Sequence, residues 1–63
     1  MVELIVKRSS NFVEQAVLNI NTAGLAHLVV GIQLLNTEHG SETVVVFKAN
    51  NFSEQGLING MYL

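Results

Sequence analysis

Glu42-Thr-Val-Val-Val-Phe-Lys-Ala49 carries the densest β signal in the chain. Three valines and a phenylalanine stand in a row, and their branched or aromatic side chains suit a pleated, half-buried surface better than a helix. Thr43 to Phe47 also joins high β propensity to an absence of charge, the composition of an aggregation-prone segment, so it must be paired or covered in the folded state. Just before it, Asn36-Thr-Glu-His-Gly-Ser41 is a cluster of turn residues. Further back, every even position from Leu25 to Leu35 is apolar: Ala26, Leu28, Val30, Ile32 and Leu34. The odd positions mix Leu25, His27, Val29, Gly31, Gln33 and Leu35. This predicts a strand over 25–35 with one dry and one partly covered face, joined to the valine-rich strand as a β-hairpin.

Toward the N-terminus, Val2, Leu4 and Val6 alternate with Glu3, Ile5 and Lys7, as in a short strand with one buried face. Val13, Ala16, Val17 and Ile20 then recur at i, i+3, i+4 and i+7, the spacing of one helical face. Asn11 followed by Glu14 has the spacing of a capping box, and Gly24 suits the end of that helix. In the tail, Asn51 and Glu54 repeat the capping spacing and predict a short helix, although Gly56 and Gly60 leave a final strand as the alternative. The expected fold is α+β, a small β-α-β-β domain with a short C-terminal element and strands completed by a neighbouring subunit. An all-β sandwich or barrel is the alternative.

Residues 1–63 leave room for a single domain, and within it residues 2–20 resemble residues 42–60 at an offset of 40. Val6, Asn11, Phe12, Glu14, Gln15 and Asn19 fall on Val46, Asn51, Phe52, Glu54, Gln55 and Asn59 without a gap. Both stretches describe a strand ending in a basic residue, then small or polar residues, then an NFxEQ segment. Such units stack when they cannot bury their faces alone, so a chain holding one and a fraction of them would continue the pattern in a neighbour; the equal alternative is that two strands followed by capped helices look alike because such elements draw on few residue types.

Composition points the same way. A domain this small has a marginal core, because apolar burial roughly balances ordering entropy of about 1.5 kcal/mol per residue. With no cysteine, a disulfide framework is excluded, and with two histidines a structural zinc site is not expected. Yet 49% of residues are hydrophobic and only 13% charged, with a mean hydropathy of +0.41, which favours a homo-oligomer or a larger protein assembly. Three basic residues and a net charge of −2 offer no stripe for a nucleic-acid backbone, so no nucleic-acid partner is expected. The longest apolar stretch is too short for a membrane span. MVELIVKR has the wrong charge order for a signal peptide, so a cytoplasmic or virion location is expected.

The chemistry-bearing residues are sparse. Arg8 with Ser9, Ser10 and Asn11, and Lys48 with Asn50 and Asn51, each set a cation beside an expected helix start, the recipe for holding a phosphate or carboxylate, although with no Gly-rich loop plain N-capping with a solvated cation at a strand end is the favoured reading. Glu38, His39 and Ser41 share a turn, but a nucleophile and its base need aligned geometry beside oxyanion donors, so no catalytic residue, metal site or cofactor is expected. Thr37-Glu-His-Gly-Ser41 resembles a TEHTS-like stretch near the ligand site of the ring-forming trp RNA-binding attenuation protein family, and Ser9-Ser-Asn-Phe-Val13 resembles its N-terminal region. The likeness stops there. That family's basic KxR-type strand is VVVF in this chain and the loop is shorter, so the resemblance implies only a β-rich ring. The expected function is that of a non-enzymatic structural or self-assembly protein, such as a phage virion, ring or filament subunit. A small oligomeric protein holding an anion or nucleotide at subunit interfaces is the alternative.

Overall fold

In a computed structural model, which describes residues 2–63, the chain is α+β: a three-stranded antiparallel sheet with two helices. The elements in order are β1 (Glu3–Ser9), α1 (Val13–Ala23), a single 3-10 turn (Ala26–Leu28), β2 (Val29–Thr37), β3 (Gly40–Ala49) and α2 (Phe52–Gly60). The strand order is β1-β3-β2, so the valine-rich segment is the central strand and is paired along both edges. The two helices occupy positions where an all-β chain would need strands.

Directly paired residues share a face of the sheet. On one face Thr43, Val45, Phe47 and Ala49 of β3 are fully buried. They meet Ala16 and Ile20 from α1, Leu25 and Leu28 from the turn, Ile58 from α2, and Leu63. On the other face Val44 and Val46 are only half-buried, and no helix covers them. The alternation of β1 is inverted relative to the sequence pattern. Ile5, paired with Phe47, turns toward the core, whereas Leu4 and Val6 lie on the bare face and are about 60% exposed.

The sequence reading of 25–35 as one continuous strand is corrected in two respects. First, α1 ends in a left-handed glycine, Gly24 at φ 74°, with Gly24 N–H donating to Asn21 O and Leu25 N–H to Ile20 O at 3.1 Å. This Schellman closure sets Leu25 against Ile20 and sends Ala26–Leu28 into a 3-10 turn, so pairing begins only at Val29. Second, the register with β3 jumps between Val29 and Gly31, making Val30 the extra residue of a β-bulge. Beyond the bulge, Ile32 pairs with Val45 and Leu34 with Thr43, so both do lie on the helix side. They nonetheless remain 39% and 56% exposed, because α1 leaves that flank uncovered.

The two stretches related by the 40-residue offset both form a strand followed by a helix. Val6 pairs directly with Val46, its own equivalent, so a local two-fold axis passes between them and relates β1 to β3. In the tight β2-β3 turn, Glu38 and His39 keep negative φ, and Gly40 takes the left-handed position at φ 123°. No helix among the described residues is long and apolar enough to cross a membrane.

A chain of this length carries a total stability of about 3 to 9 kcal/mol. Phe47→Ala is expected to remove about 3–5 kcal/mol, a large share of that total. Gly24→Ala, which forces a side chain into the left-handed region, should cost about 1–2 kcal/mol. Urea titrations followed by circular dichroism check both values and their order.

Candidate functional site

The first group of expected site residues gathers where β1 ends and α1 begins. Ser9 and Asn11 form a polar knot there. Asn11 N–H donates to Ser9 Oγ at 3.0 Å, and the buried Thr43 Oγ1 donates to Asn11 O at 2.8 Å. The remaining donors converge on one oxygen. The main-chain oxygen of Leu63 accepts from Ser9 Oγ at 2.8 Å, Asn11 Nδ2 at 2.6 Å and Asn19 Nδ2 at 3.2 Å. The side-chain donors expected to greet an outside anion thus hold the chain's own backbone, fastening Leu63 against β1 and α1.

Asn11 does not cap α1. The helix begins one residue later than expected, with Phe12 in extended geometry at its N-cap and no side-chain cap hydrogen bond. The cause is local. Asn11's amide is drawn to Leu63, and its carbonyl is held by Thr43, so its side chain is not available to the first turn. Asn51, its equivalent at offset 40, does cap. Asn51 Oδ1 accepts from Glu54 N–H at 2.8 Å, while Glu54 Oε1 accepts from Asn50 N–H at 2.8 Å and Asn50 Nδ2 at 3.0 Å. Glu54 therefore closes the expected capping arrangement at α2, and the donors of Asn50 are spent inside it.

The two cations lie apart. Arg8 pairs across the strand with Val44 and Lys48 with Leu4, which puts four residues, about 13 Å of strand, between them. Arg8 Nη1 stands 3.7 Å from Glu42 Oε2 on the rim of the bare face, an exposed ion pair of the kind that adds little stability. Ser10 lies exposed beside Asn11. Pattern reading passed over Lys7. Its Nζ donates to Ile58 O at 2.8 Å and to Met61 O, serving the carbonyl end of α2, where no basic residue of the helix itself is present. Burial there lowers the lysine pKa below its ordinary value. The sequence held no signal for this role, because the alternation of Val2, Leu4 and Val6 set Lys7 on the opposite, outward side, and only the inversion of β1 turns it toward these acceptors.

The residues that invite a catalytic reading have other occupations. Ser41 Oγ donates to Asn36 Oδ1 at 2.9 Å, and His39 contributes its main-chain N–H to Thr37 Oγ1. His27 is exposed in the 3-10 turn and not on a strand face. Among the described residues, no three His, Cys, Asp or Glu side chains converge to hold a metal ion.

One cleft, lined by Lys7, Arg8, Ser9, Asn11, Met61 and Leu63, is mixed in character, and the other grooves of the surface are mainly apolar. Along β2, one groove is lined by Val17, Ile20, Ala26, Val29 and Ile32. Another, at the start of α1, is lined by Phe12, Val13 and Leu34 together with the polar Ser10, Asn11, Glu14 and Ser41. The second face of the sheet presents Leu4 and Val6 beside half-buried Leu35, Val44 and Val46. Comparison of the chain with protein-family models, with curated proteins and with solved structures finds no match.

The unequal use of the two NFxEQ segments leads to a direct test. Asn51→Ala should lower stability by about 1 kcal/mol, the worth of an N-cap. Glu14→Ala, at the position equivalent to Glu54, should stay within about 0.5 kcal/mol of the parent, as an exposed residue with no cap to close. Thr43→Val, which strips the donor from Asn11 O, should cost about 1–3 kcal/mol. Denaturant midpoints for the three variants provide the comparison.

Proposed function

We propose that this chain is a non-enzymatic self-assembly protein, a virion, ring or filament subunit in kind, whose function resides in the contacts it makes with copies of itself. The observation that carries this reading is the distribution of apolar side chains. Among the described residues, more large hydrophobic side chains are exposed than buried, and they are not scattered singly. Leu4 and Val6 lie on the bare face of the sheet, while Val30, Ile32, Leu34 and Phe12 border β2. A monomer that leaves contiguous apolar surface on two sides pays for it in solubility, and burial in an assembly recovers about 25 cal/mol for each Å² covered. The low charge supports the same reading. Few like charges stand in the way of close approach between copies, and two of the three basic side chains, Lys7 and Arg8, already have partners within the chain.

The proposal is tested by light scattering on the purified chain over a dilution series. A multimer that persists into the low micromolar range is the expected result. A monomer whose mass does not change with concentration would overturn the reading.

A further inference from the structure

We infer that two copies of this chain join along their β2 edges, as antiparallel strands related by a two-fold axis at Gln33, into one continuous six-stranded sheet. The inference rests on the self-assembly reading and names the surface and partner it requires.

Both outer strands of the sheet have an unpaired edge, and the two edges differ. β1 carries Glu3, Lys7 and Arg8 within seven residues, the kind of charge that discourages strand addition. β2 runs nine residues, Val29 to Thr37, with no charged residue and no proline, and its single irregularity, the bulge at Val30, lies at its beginning. From Gly31 to Thr37 its pairing with β3 is regular, so the opposite row of main-chain N–H and C=O groups is open and straight enough to template another strand.

The occupant that fits best is β2 itself. With Gln33 opposite Gln33 of the partner subunit, the primary amides meet on the bare face and can donate to and accept from each other. Gly31 then faces Leu35 of the partner subunit on the same side. Apart from Gly31 itself and its two chain neighbours, nothing lies within 4 Å of the position a Cβ would take there, so the glycine leaves space for a leucine. On the helix side Ile32 faces Leu34 of the partner subunit, joining two side chains that are 39% and 56% exposed in the single chain. No charge meets a like charge anywhere in this register. Shifting the axis to Leu34 sets Ile32 against Asn36 and loses both the amide pair and the glycine-leucine fit.

The strand edge alone is too narrow for a lasting contact. A stable interface takes about 800 Å² from each partner, near a fifth of this chain's 4214 Å² surface. The two grooves that run along β2 extend the contact sideways, since Val17 borders Ile32 in one and Phe12 and Val13 border Leu34 in the other. A two-fold contact of this type is closed, and it leaves the bare face of both sheets free for further assembly.

The absence of cysteine makes a crosslinking test clean. Gln33→Cys puts its two Cα atoms about 4.5–5.5 Å apart across the axis, within the span of a disulfide. Leu35→Cys puts them about 13 Å apart along the strands, beyond it. Each single-cysteine chain, with Val6→Cys on β1 as a third, is oxidised in dilute solution, run on a non-reducing gel, and measured in parallel by light scattering. The expected result is a predominantly crosslinked dimer for Gln33→Cys alone. Crosslinking of Val6→Cys in place of Gln33→Cys, or of Leu35→Cys as fully as Gln33→Cys, overturns the β2 seam. A multimer in scattering with no crosslink in any variant also overturns it while the self-assembly reading stands. A monomer throughout removes both.

Discussion

The placement of β3 between β1 and β2 is the constraint on which the rest of the molecule depends. Because its Thr43–Phe47 stretch is flanked by strands on both sides, its side chains have only two directions to take, and alternation commits Thr43, Val45, Phe47 and Ala49 to the helix layer. Every other core residue is placed by reference to that row. Ile20 and Ala16 reach it from α1, Ile58 from α2, and Leu25 and Leu28 close its end. The buried Thr43 hydroxyl would be costly in such a row without a partner, and Asn11's carbonyl supplies one. The same bond fixes where β1 hands over to α1, so a single polar contact links the central strand to the start of the first helix.

Much of this was legible. Consecutive valines described a strand that had to be paired or covered, the i, i+3, i+4, i+7 row of Val13, Ala16, Val17 and Ile20 described α1, and Gly24 marked its end. Less legible was anything that turned on a single residue's backbone. A period-two pattern cannot reveal that its first four residues wind into a turn, nor that one inserted residue, Val30, exchanges the faces partway along. The inversion of β1 has a related origin. Leu4 and Val6 are more hydrophobic than Lys7 and Ser9, yet the inward places go to the latter pair because the end of α2 and the Leu63 oxygen need donors.

The candidate anion residues teach a similar lesson. A cation, two serines and an asparagine before a helix describe a set of donors, and the pattern is silent about what they will face. Here Ser9 and Asn11 turn to Leu63, and Asn50 turns to Glu54. The pair Asn11 and Asn51 shows how far context decides: identical NFxEQ surroundings cap one helix and not the other, since only Asn11 lies within reach of the Leu63 oxygen and Thr43 hydroxyl. The two halves match in structure at the strands, where Val6 meets Val46, and differ in capping at the helix starts, although that is where their sequences agree most.

The pairing of β1 with β3 also shapes the order in which the molecule is built. β2 and β3 are joined by a tight turn and can meet within about 1–10 μs, whereas bringing Val6 to Val46 closes a loop of some forty residues and bears a larger entropic cost. The hairpin is therefore the early element and β1 the late one. Until β1 arrives, one side of the valine-rich strand stands bare. A newly made chain passes through an interval in which its most association-prone segment is available to any neighbour, so concentration during synthesis bears on the yield of correctly folded chains.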